Sequence, residues 1–151
     1  MLNEGPKIPT PKEFAQSAAQ SDGYELDAAR CALAQSRNPQ IRAFAERMIA
    51  DHERTAQALR DAAKAAGLEP PQPHVGGDQM RFLMSLQSLR GNEFDREYAR
   101  QQMLAHTSAL TMMRSYADKG SDANLRRMAA SSAPIIEGHL KTARELLQSF
   151  M

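Results

Sequence analysis

The chain has 151 residues, 42% of them apolar and 25% charged, with a formal net charge of +1. This is the length of one domain, with apolar material for one core. It excludes a disordered polyelectrolyte, and the near-neutral balance argues against a polyanion ligand, so no nucleic-acid partner is expected.

A single cysteine, Cys31, rules out an intramolecular disulfide and a thiolate-rich zinc site. No apolar run approaches the ~20 residues of a membrane span, so no transmembrane segment is expected. The stretch Met1 to Pro9 lacks a basic region followed by an apolar one. The chain as it stands is therefore expected to be cytoplasmic, or periplasmic or exported if a signal peptide has been removed. Ala, Gln, Arg, Leu, Met and Glu dominate, Val75 is the one valine and tryptophan is absent, which points to an all-α fold.

In chain order, residues 1–9 read as a Pro-containing arm and residues 10–151 as a single domain. Thr10-Pro11-Lys12-Glu13 is a helix start: Thr10 caps, Pro11 suits the first turn, and Glu13 completes a capping box. That helix is expected to run to about Arg37. Asn38-Pro39 stops it and caps the next helix, which runs to about Ala66, where Gly67 is a stop. Residues 67–77 hold Pro70, Pro71, Pro73, Gly76 and Gly77 and form a loop. A short helix from about Asp78 to Leu89 precedes a third long one, capped by Asn92 and running from about Glu93 to Asp118. Lys119-Gly120-Ser121-Asp122 is a turn. The last helix covers about Ala123 to Ser149, with Pro134 expected to kink it or free a carbonyl. Four long helices of about 40 Å each, two of them joined to the next by short turns, predict an antiparallel four-helix bundle with a short extra helix before the third long one.

Helical periodicity then singles out four polar residues. On the second helix Ile41, Ala45, Met48, Ile49, Ala56, Leu59 and Ala63 form an apolar arc, with His52 at its centre. His106 is central to the arc Ala99, Met103, Leu110, Met113, Ala117. His139 is central to Leu125, Met128, Ile135, Ile136, Ala143, Leu146, Phe150. The first helix places Glu25 centrally among Phe14, Ala18, Ala29, Ala32 and Leu33, with Asp22 one turn earlier on the same side. All four lie near helix midpoints, which antiparallel packing brings to one level.

A buried carboxylate or imidazole costs several kcal/mol unless paired, and a divalent transition metal pairs all four. The predicted metal ligands are thus His52, His106, His139 and Glu25, with zinc or iron as the expected ion. Glu25 has an alternative role, accepting a histidine N–H beside the metal. The competing reading is a metal-free structural or interaction bundle whose histidine layer fixes helix register. A single histidine on an apolar face is more often a hydrogen-bonded core residue than a ligand; three on separate helices at one level are harder to explain that way.

His74 reads as a solvated loop residue, Cys31 as a packing residue, and the methionines as core rather than copper(I) ligands. Asp95 is placed to meet the helix dipole; Gln102 lies on the His106 side of its helix but is not counted in the polar layer. No nucleophile triad, phosphate loop or dinucleotide motif is present. No catalytic residue is assigned, and a homodimer is left open.

The stretches Phe14-Ala15-Gln16-Ser17-Ala18-Ala19, Tyr24-Glu25-Leu26, Ile41 through Asp51-His52, Phe94-Asp95-Arg96-Glu97-Tyr98, Ala105-His106 and Pro134-Ile135-Ile136-Glu137-Gly138-His139-Leu140 resemble a bacterial family, domain of unknown function 4142. The resemblance spans roughly residues 12–148. It implies a ferritin-like four-helix fold and recurring positions at Glu25, His52, His106 and His139, without a reaction. Many members of that family are exported. Di-iron ferritin chemistry is not implied, because the residues three before His52, His106 and His139 are Ile49, Met103 and Ile136 rather than glutamates.

Overall fold

The computed structural model describes residues 7–151; residues 1–6 of the expected N-terminal arm lie outside it. The described residues form five helices and no strand: α1 (Pro11–Gln35), α2 (Pro39–Ala65), α3 (Gly77–Gln87), α4 (Gly91–Lys119) and α5 (Ala123–Gln148).

Local chemistry sets most of the ends. Thr10 Oγ1 accepts from Glu13 N–H at 3.1 Å while Glu13 Oε1 accepts from Thr10 N–H at 2.9 Å, with Pro11 in the first turn. Asn38 Oδ1 accepts from the N–H groups of Gln40 and Ile41, and Pro39 follows. Gly67, at φ 79°, ends α2 in a left-handed turn that returns Leu68 N–H to Ala63 C=O at 2.9 Å. Asp122 caps α5 through Leu125 N–H, and α5 continues through Pro134.

The start of α4 differs from the sequence expectation. Asn92 does not cap it; the helix begins at Gly91, after an extended Arg90. The Arg90 guanidinium instead donates to the carbonyls of Gln87 and Leu89, closing the end of α3. Gly91 has φ 60°, a left-handed conformation that glycine adopts without a Cβ clash. Asp95 also departs from its expected role: it is buried and accepts from Ser36 Oγ at 2.5 Å, tying the end of α1 to α4.

Contacts at both ends fix how the long helices lie. Phe14, near the start of α1, stacks on Tyr116, near the end of α4, at 4.1 Å between ring centroids. Ser36, just past the end of α1, meets Asp95 near the start of α4. α5 packs on α4 and α2, and α1 on α2 and α4, so each long helix has two long neighbours. α3 lies across α1 and α4, held by Gln101, whose Nε2 donates to Phe82 C=O and whose Oε1 accepts from Tyr24 Oη.

The core divides in two. One apolar cluster includes Phe14, Leu59, Leu110, Met113, Tyr116 and Leu125. The other includes Ala29, Ile41, Phe44, Met48, Phe94 and Tyr98. Asp22, His52 and His106 fall between these clusters along their helices, while Glu25 sits at the inner edge of the second cluster and His139 at that of the first; all five are buried. Ile135, read from sequence as part of the α5 arc, is 41% exposed.

Candidate metal centre

His52, His106 and His139 meet. One ring nitrogen from each lies within 4.8 Å of the other two, and the residues are only 5%, 1% and 1% exposed. Three helices each contribute one ring, from the centre of an apolar face.

The opposite nitrogen of every ring has an acceptor. His52 Nδ1 lies 2.9 Å from Asp22 Oδ1, which also accepts from the Thr55 hydroxyl at 2.8 Å. His106 Nδ1 lies 2.8 Å from the Gln102 carbonyl, one turn back on its own helix. His139 Nε2 lies 2.7 Å from Asp51 Oδ2. A carboxylate or carbonyl can only accept, so each of these nitrogens carries the proton.

The consequence falls on the inner nitrogens. In the neutral rings, His52 Nε2, His106 Nε2 and His139 Nδ1 are left as lone pairs. His106 Nε2 and His139 Nδ1 face each other at 3.3 Å with both protons committed elsewhere, so no hydrogen bond can form between them. His52 Nε2 is buried without any hydrogen-bond partner. Three converging lone pairs in a buried site fit a cation and are costly without one. Backing of each imidazole by a carboxylate or backbone carbonyl is how metal-binding histidines are usually oriented.

Glu25 stands beside this cluster rather than within it. Its Oε1 accepts from Gln102 Nε2 at 2.7 Å, and its Oε2 lies 3.2 Å from His106 Nδ1 and 3.9 Å from His52 Nε2. Gln102, not counted in the polar layer from the sequence, reaches it and holds the carboxylate. Tyr98 Oη and Gln102 Oε1, one turn apart on α4, are also buried without partners.

Burial and neighbours set the protonation preferences. Burial, with the repulsion of a charged His52, lowers His106 to about 3. Burial lowers His139 to about 4 despite the Asp51 hydrogen bond. Burial opposes charging His52 as well, but the Asp22 hydrogen bond and the Glu25 and Asp22 charges outweigh it, so His52 is held above its ordinary value. Burial raises Glu25, against the pull of His52 and Gln102. Burial also acts to raise Asp51, but its bond to His139 outweighs this and leaves it lowered.

The sequence reading did not single out Asp51 or Thr55. An acid directly preceding a core histidine was a signal for Asp51. Its partner, however, is on α5, and a single-helix wheel does not show that. His74 is exposed and apart from the cluster, and Cys31 is half-buried. No helix of the described residues is long and apolar enough to cross a membrane.

Solved structures share this fold. A DUF305 fragment from Deinococcus radiodurans superposes with a TM-score of 0.79 at 19% identity, covering 96% of this chain and 99% of that one. CopM in its Cu(II)-bound form gives a TM-score of 0.79 at 19% identity, covering 96% of this chain and 100% of that one. CopM in its Cu(I)-bound form gives 0.76 at 19% identity, over 94% and 98%. At such identity the likeness establishes a common fold. No curated protein matches the chain. The model of the family described as a domain of unknown function, DUF4142, matches residues 3–146, and the chain belongs to that family.

Proposed function

We propose that this protein is an antiparallel four-helix, ferritin-like bundle, a single domain over residues 10–151, that holds one transition-metal ion through His52, His106 and His139. The observation that carries this reading is the tautomer pattern: three outer nitrogens hydrogen-bonded to acceptors and three inner lone pairs turned toward one another. Three neutral imidazoles are borderline ligands suited to copper, zinc or iron. The copper-bound forms of CopM support copper ahead of the zinc or iron expected from the sequence. Glu25 serves as an anionic neighbour that completes the charge of the site from beside His106 and His52.

The bound ion supplies positive charge at the convergence of the lone pairs. The protein's own part is to exclude water and to hold each ring in one tautomer. The role is binding or sequestration of the ion, with no reaction assigned.

The test is metal loading of untagged protein with copper(II), copper(I), zinc and ferrous iron, followed by elemental analysis. One retained ion per chain is expected for at least one of these. It should raise the melting temperature, and a chelator should reverse the rise. His52→Ala, checked for helicity, should lose the retained ion. Retention of none, with melting indifferent to chelators, would favour a metal-free polar layer that sets helix register.

A further inference from the structure

The three histidines are buried, so an ion must pass between helices to reach them. The Phe44 ring stands 6.4 Å from the His106 ring, and Gln102 and Glu25 are hydrogen-bonded together. A void of about 10 Å³ lies against the cluster, bounded by Asp22, Thr55, Ser132 and Ile135, by His52 and His139, and by Met113 of α4. This void touches two of the three histidines, and neither His106 nor Glu25 lines it.

Its wall runs from surface to centre. Ile135 is 41% exposed, Thr55 is half-buried, and Asp22 and Ser132 are buried beside the histidines. Hydroxyl and carboxylate oxygens at Thr55, Ser132 and Asp22 therefore lie along the route inward. A volume of about 10 Å³ takes at most one water-sized body, so the seam must widen to let anything through. The means is next to it. Pro134 lies inside α5, immediately before Ile135. It has no N–H to donate, so the carbonyl of Ala130 loses its helical partner and α5 is locally weaker at the seam.

We propose that the seam between α1, α2 and α5 is the passage for the ion, with Ile135 as its gate and Pro134 as the feature that lets it open. This rests on the reading of the histidine cluster as a metal centre, and the two fail in different ways. The experiment loads wild-type protein, Ile135→Ala, Pro134→Ala and Leu104→Ala with the retained metal. The first reading is the number of ions bound per chain; the second is the rate at which excess chelator removes them. Ile135, Pro134 and Leu104 are all exposed, so these variants leave the core intact.

All four proteins are expected to bind one ion. Ile135→Ala should lose it about tenfold faster, the factor that follows from a modest drop in the opening barrier. Pro134→Ala, which restores the hydrogen bond, should lose it more slowly. Leu104→Ala, on α4, should match wild type. Equal stoichiometry with wild-type rates in both α5 variants overturns the passage and leaves the centre standing, as does equal acceleration by Leu104→Ala. A wild-type protein that retains no metal overturns the centre itself, and the passage with it.

Discussion

Asp51 shows how a side chain outside the histidine cluster controls it. Its carboxylate is 19% exposed, is flanked by Arg47 at 3.6 Å and Arg54 at 3.5 Å, and still reaches His139 Nε2 at 2.7 Å. It fixes the tautomer that turns Nδ1 inward. Asp51→Ala should therefore weaken metal binding by about 10–100-fold, the usual cost of removing such a partner, while the fold is kept. Competition against a chromophoric chelator, with circular dichroism beside it, measures this. Unchanged affinity would mean that Asp51 serves only its surface ion pairs. The histidines were legible in the sequence because each interrupts an apolar face at helical spacing, which a core tolerates only with a compensating partner. Asp51 was not, because it lies off that face and acquires its partner only when α5 packs alongside.

At the scale of elements, Gly23 explains how the long loop between α2 and α3 is held. A Cβ on Gly23 would overlap the backbone of His74, whose N–H donates to Ala19 C=O at 3.3 Å. The loop thus lies directly on the middle of α1, between Asp22 and Glu25. Gly23→Ala would favour the helix locally, yet should destabilise the protein by ~1–3 kcal/mol through overpacking. Urea unfolding checks the sign, and a stabilised variant would show that the loop lifts off freely. Gly120 works similarly at the end of α4: a Cβ there would strike the Tyr116 ring, while its φ of −62° is open to any residue. Both glycines are kept for close approach, a reason no propensity scale contains. The starts of α1, α2 and α5 were readable because Thr10, Asn38 and Asp122 cap their own helices. The start of α4 was not, because a side chain committed to closing α3 precedes it.

For the whole molecule, the polar layer between two apolar clusters makes stability depend on protonation. In the metal-free protein His106 and His139 lie near 3 and 4, well below the ordinary histidine range. Between those values and about 6.5 the unfolded chain binds more protons than the folded one. The stability owed to these two groups is therefore complete above about pH 6.5 and is lost as the pH falls toward 4. His52 and Glu25, both raised, act with the opposite sign, in that their contributions decline as the pH rises through their folded values. Urea unfolding of metal-free wild type and His106→Gln at pH 7 and pH 5 isolates the term. The variant should lose less stability on acidification than wild type. Equal losses would mean that His106 is already protonated in the fold.

The amino-acid order by itself determined that the chain is helical, where most helices begin, and which residue on each long helix is polar amid an apolar face. These follow from local backbone chemistry and a period of 3.6, which need no neighbour. Only the tertiary structure decided which nitrogen of each ring turns inward, that Glu25 lies 3.2 Å from His106 Nδ1, and that a small void touches the layer at His52 and His139. Those features depend on hydrogen-bond partners carried by other helices, which no single-helix pattern contains.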